Sequence, residues 1–155
     1  MDFIIKWSNL HIAYQRLEEI LKKESKGGIM PDFGGVAPIL LLMTDGHPTK
    51  YPLKEEMSAL KKLPWFNVAL KYGIAIELKD QRTHDVLREF VNGNGDVIEC
   101  YDSKLLQQII KIIVLTASKV KSTSTSVHAQ NNISITAEVQ MQVQQALSEV
   151  DDWEW

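Results

Sequence analysis

The stretch PILLLMTDGHPTK, residues 38–50, runs apolar until it meets Thr44-Asp45-Gly46. A carboxylate at the end of a core strand has three sensible uses. It can bind a hard cation, accept a phosphoryl group, or hydrogen-bond the amides of its own turn. Thr44 adds a hydroxyl, and Gly46 is the residue type that permits a sharp turn. Taken as a bare pattern, the tripeptide also reads as a structural turn, because local Asx bonding is common. His47 reads as a solvated loop histidine, since no second histidine or cysteine has metal-ligand spacing with it. Phosphotransfer or phosphatase-like chemistry at Asp45 is the weaker alternative. It needs a paired acid or strand-end lysine to hold Mg2+ or phosphate, yet no acid adjoins Asp45 and Lys50 is the only nearby base.

The remaining candidates favour bland readings. His11 falls on the first turn of a predicted helix and is expected to be partly exposed; His84 and His128 have no companions in sequence. Cys100, at the end of a predicted strand, reads as a small core residue, with nothing near it to form a Cys/His nucleophilic pair. Asp96 and Glu99 flank a strand and are expected to face solvent, without support for a glycosidase-like pair. Asn92-Gly93-Asn94-Gly95 follows a helix and precedes a strand; phosphate-cradling loops run the other way, so this is a turn. Lys54, Lys61 and Lys62, mixed with Glu55 and Glu56, make a solvated helix face.

The elements that must position these residues follow from periodicity. Phe3-Ile4-Ile5 is a brief β-like run. Leu10, Ala13, Tyr14, Leu17, Ile20 and Leu21 mark a helix over residues 9–24, with Ser8 as its expected N-cap. Gly27-Gly28 ends it in a loop over residues 25–36. Ile39–Met43 is apolar on both faces, the mark of a central strand in a covered parallel sheet. Leu53, Met57 and Leu60 mark a second helix that ends before Pro64. Residues 67–76 read as a strand, Val86 to Val91 as a third helix, 96–100 as a strand, and Ser103 to about Lys119 as a fourth helix. This alternation predicts an α/β three-layer sandwich with a mostly parallel sheet, Rossmann-like in its crossovers. From Lys121 the chain turns polar. Residues 133–143 fit both a strand alternation and a helical stripe. The end, SEVDDWEW, joins four acids to two tryptophans, and Trp153 and Trp155 could anchor it on a partner. The expected organisation is one domain over 1–121 and a polar linker with an acidic extension over 122–155.

The chain has 155 residues, 45% hydrophobic and 24% charged, with a formal net charge of −3. These values are ordinary for a globular domain and give no reason to expect nucleic-acid or membrane-surface partners, nor is a small-molecule substrate inferred. One cysteine excludes an internal disulfide and a multi-cysteine zinc site. No signal peptide or membrane span is legible, and a cytoplasmic location is expected.

LLLMTDGHPT, together with KWSNLHIAYQRL upstream, resembles the von Willebrand factor A domain family, nearest to its TerY-like bacterial branch linked to tellurium resistance. LPWFNVALKYGIAIE and LREFVNGNGDVIECYDSKLLQQII continue the resemblance across roughly residues 1–120. The family binds a cation at a metal-ion-dependent adhesion site. That site joins an Asp-x-Ser-x-Ser motif, a threonine in a later loop and the aspartate of a T/S-D-G motif. The resemblance implies Asp45 and Ser8 as the metal ligands here. It also implies Mg2+ or Mn2+ held weakly or not at all, because no Asp-x-Ser-x-Ser occurs in this sequence. By the same resemblance this is the later part of such a domain, and the Ile39–Met43 strand lacks its usual neighbour. An open edge there invites a second copy, a separate chain, or the chain's own residues 133–143. The expected function is a non-catalytic protein-interaction module with a protein partner or homo-oligomer.

Overall fold

The computed structural model describes residues 4–6, 9–46, 48, 50–77, 80–93, 95–123, and 138, 141, 142, 144, 145, 148 and 149. Ser8, His47, His128 and the two C-terminal tryptophans lie outside these residues. The chain divides into two compact units, Met1–Glu99 and Cys100–Trp155.

The first unit is built on a parallel sheet. Its strands are β1 (Ile4–Lys6), β2 (Ile39–Thr44), β3 (Leu70–Ile76) and β4 (Gly95–Cys100), in the spatial order β1-β2-β3-β4. Both β1–β2 and β2–β3 are parallel ladders. Helices α1 (Leu10–Leu21), α2 (Lys54–Lys61), α3 (Pro64–Val68) and α4 (Gln81–Val91) fill the connections. The α/β class read from the alternation is therefore the observed one.

Register explains why β2 and β3 show no polar alternation. Leu42 pairs with Gly73 and Thr44 with Ala75, which puts these residues on one face. Leu42 and Ala75 share a core with Leu10, Tyr14 and Leu17 of α1, Met57 and Leu60 of α2, Phe66 of α3, and Leu87 and Phe90 of α4. The intervening residues Leu41, Met43, Tyr72 and Ile74 are buried as well. A strand buried on both faces reads as a continuous apolar run. Gly73 is where a helix comes closest: a Cβ there would lie 2.9 Å from Leu87 Cβ. Aromatic rings tie the helices together, Tyr14 stacking on Phe90 at 5.8 Å and Phe66 meeting Phe90 edge-on at 5.9 Å. Such pairs add about 0.5–1.5 kcal/mol beyond burial.

Three expectations change. The open edge expected at Ile39–Met43 is filled, because Ile4, Ile5 and Lys6 pair with Leu41, Leu42 and Met43. The residues read as a strand from Asn67 begin it only at Leu70; Pro64, at the first helical position, starts a short helix instead. The N-cap position of α1 is Asn9 rather than Ser8, and no side chain bonds the first turn there.

In the second unit, α5 spans Ser103–Thr123, past the point where a polar linker was expected. Asp102 starts it: its carboxylate accepts from Lys104 N at 3.0 Å and its carbonyl from Leu106 N at 3.0 Å. Ile109 and Ile113 are buried, as the helical stripe requires. Residues 133–143 fitted two periods; the described positions Glu138, Met141 and Gln142 are helical.

Candidate functional site at the carboxyl end of the sheet

In parallel α/β sheets, loops leaving the carboxyl ends of strands carry ligand-binding groups. Asp45 stands at that end. Thr44 is 3% exposed and Asp45 is exposed, so the chain passes from core to solvent between adjacent residues. The Thr44 hydroxyl donates to Gly46 O at 3.0 Å and lies 3.4 Å from Gly46 N. Thr44 thus builds the turn rather than offering its oxygen to a ligand. Gly46 has open space where a side chain would go and no left-handed φ, so this turn does not depend on a glycine.

The first turns of α1 and α2 reach the same end, since β1 and β2 run parallel and Lys6 pairs with Met43. His11 comes from α1 and Glu56 from α2. Sequence reasoning placed Glu56 on a solvated face, but its side chain is only 4% exposed. Lys50 Nζ donates to Glu56 Oε1 at 2.5 Å. That hydrogen bond holds the Glu56 carboxyl below the usual range against the opposing effect of burial, with the His11 charge adding a smaller downward pull. The same bond raises the Lys50 ammonium above its ordinary value. Glu56 Oε2 and His11 Nδ1 are both buried without a hydrogen-bond partner. Lys50, the base nearest Asp45 in sequence, is thereby committed to Glu56.

As a cation site the end of the sheet is sparse. Among the described residues no three His, Cys, Asp or Glu side chains gather to hold an ion. Asp45 supplies one carboxylate, and an octahedral Mg2+ held by it would keep most of its shell as water. Such a donor set fits an open, exchangeable ion, not an enclosed one. Ser8, the other ligand expected by resemblance, lies outside the described residues.

Two further groups were missed in the sequence. His84, read as having no companion, has Nε2 3.2 Å from Glu99 Oε1, across from α4 to β4. The pair lines a cavity of about 420 Å3 with Arg88, Gly93, Asp96 and Val97. Glu99 keeps half its side chain exposed, as expected, but on the edge that faces His84. Asp96 accepts from Val97 N at 2.8 Å. The cavity mixes both charge signs, with Arg88 opposite the Asp96 and Glu99 carboxylates in its lining. Helix–strand pairing of this kind leaves no trace in sequence spacing. Cys100 is buried as expected; burial raises its thiol pKa, which suppresses the reactive thiolate.

Among the described residues, no helix is long and apolar enough to cross a membrane. In comparison with known proteins, no family model, no curated protein and no solved structure matches the chain.

Proposed function

We propose that this chain is a non-catalytic protein-interaction module whose ligand-facing surface is the carboxyl end of the sheet around Asp45. The observation that carries the reading is the abrupt emergence of Asp45 from the buried β2 strand, beside the first turns of α1 and α2. An exposed carboxylate on a rigid strand end is a pre-ordered contact point, which lowers the entropic cost of binding. The resemblance to von Willebrand A domains gives that contact a chemistry: an ion held loosely at Asp45, and at Ser8 by the same resemblance, would accept a partner's carboxylate into its hydration shell. Phosphotransfer fits less well, because Lys50 is paired with Glu56 and the Thr44 hydroxyl is used by its turn.

Calorimetric titration with Mn2+ tests this. Wild type should show weak, saturable heats, and Asp45→Ala should show none. Equal heats in both proteins, or none in either, would remove the ion from the account. Stable labelling of Asp45 by acetyl phosphate would instead favour the phosphotransfer reading.

A further inference from the structure

The opposite end of the sheet carries a surface that the Asp45 reading leaves unused. The loop joining α1 to β2 is braced from several sides. Glu24 N donates to Met30 O at 2.8 Å and Met30 N to Lys22 O at 3.1 Å. The Asp32 carboxylate takes both the amide and the hydroxyl of Ser25. The Trp65 indole of α3 donates to Pro31 O at 3.1 Å. Despite this bracing the loop holds Phe33 at 93% exposure, ahead of Gly34 and Gly35, which have φ of 67° and 102°. Ile29 and Val36 on the same loop, and Val68 of α3, are exposed as well. A phenylalanine fixed in water by an ordered loop forgoes the burial its ring would otherwise gain. Ordered aromatic side chains of this kind anchor protein interfaces.

The segments that lead into this loop and into α3 are basic. Lys22 and Lys61 are paired, with Glu18 and Glu89. Lys23, Lys26 and Lys62 form no ion pair among the described residues, and Asp32 is spent on Ser25. The complementary chemistry occurs once in the sequence: SEVDDWEW, residues 148–155, with Glu149, Asp151, Asp152 and Glu154 around Trp153 and Trp155.

We propose that the Phe33 surface receives the acidic, tryptophan-bearing end of a second copy of this chain. Carboxylates meet the unpaired lysines while a tryptophan packs on Phe33 and its apolar neighbours. Reciprocal exchange closes a two-fold dimer, the commonest closed assembly. The surface lies away from Asp45, so this proposal and the carboxyl-end reading fail independently.

Sedimentation equilibrium of the full chain, over a range of concentration and salt, tests it. Wild type should dimerise, less so as salt rises. Phe33→Ser should weaken the dimer by about tenfold or more, as loss of an interface anchor does. Lys26→Glu with Lys62→Glu, and separately Asp151→Lys with Asp152→Lys, should each weaken it. Combining all four reversals should restore most of the association. Phe33, Lys26 and Lys62 are exposed, and an unchanged circular dichroism spectrum checks that the fold persists in every variant. A wild type that stays monomeric at every concentration overturns the proposal, as does a dimer indifferent to Phe33→Ser or reversals that do not rescue each other. A monomer that binds phosphatidylserine vesicles through Phe33 overturns it in favour of an anionic lipid surface.

Discussion

Lys71 lies on β3 with no exposed surface, and its ammonium is held by carbonyls, not by a carboxylate. Nζ donates to Phe66 O at 2.8 Å and Ala69 O at 3.0 Å, and sits 4.6 Å from the Phe66 ring centre. These contacts satisfy the group, but burial still pushes its pKa down from 10.5 to about 8. Between those values the unfolded chain binds a proton that the folded chain has released, so stability rises with pH across that window. Below pH 8 the charge is carried in both states and its full cost stands, about 3 kcal/mol by the size of the shift. Burial raises the Tyr14 and Tyr72 hydroxyls, so their contribution is intact below about pH 10 and lost only above it. Burial of the Cys100 thiol lowers stability with pH in the same window and acts on wild type and Lys71→Met alike. Urea unfolding between pH 8 and 10 should therefore show wild type gaining stability relative to Lys71→Met as pH rises. A difference between the two proteins that stays constant with pH would mean that the ammonium keeps its hydration. Nothing in the sequence marks Lys71: it interrupts the apolar run ALKYGIAI and looks there like a surface residue. The same is true of Glu56, whose burial depends on Lys50 arriving from the preceding loop.

At the scale of elements, the pattern of apolar residues placed β2, α1, α2, α4 and α5 within a few residues, because each has one face or two that must leave water. What the pattern could not show were the ends. α4 is capped by Asp80, whose carboxylate accepts from Thr83 N at 3.2 Å, while α1 begins at Asn9 without such a bond. The turn at Asn92–Gly95 was read correctly as a helix-to-strand link, and its physical demand is visible in the structure. Asn92 and Gly93 are left-handed, and Gly95 has φ of 145°. A Cβ on Gly95 would lie 1.6 Å from Lys71 O, against the backbone of β3. Gly95→Ala should therefore cost at least ~2–3 kcal/mol in urea or thermal unfolding, through overpacking against backbone and an unfavourable φ. Gly46→Ala, with open space and an ordinary φ, should stay within about 0.5 kcal/mol. Equal effects at the two glycines would contradict the assignment of β4 beside Lys71.

For the molecule as a whole, the largest change concerns the sheet. Resemblance alone left β2 without a neighbour and made an open core strand the natural place for a partner. β1 fills that position with three residue pairs, so β2 is interior and the strand-addition route loses its basis there. At β4, Asp96 already occupies the Val97 amide. The Asp45 turn was legible because strand, acid and glycine are contiguous in sequence. The Glu56–Lys50 pair beside it was not, because it depends on how two loops meet.

The proposed binding surface is the carboxyl end of the sheet, at Asp45. NMR of labelled protein with substoichiometric Mn2+ reads this directly, since the ion broadens signals near where it rests. The prediction is broadening centred on Asp45, Gly46 and the first turn of α1, lost in Asp45→Ala while the rest of the spectrum is unchanged. Broadening that persists in Asp45→Ala, or that centres on Asp96 and Glu99 instead, would contradict it.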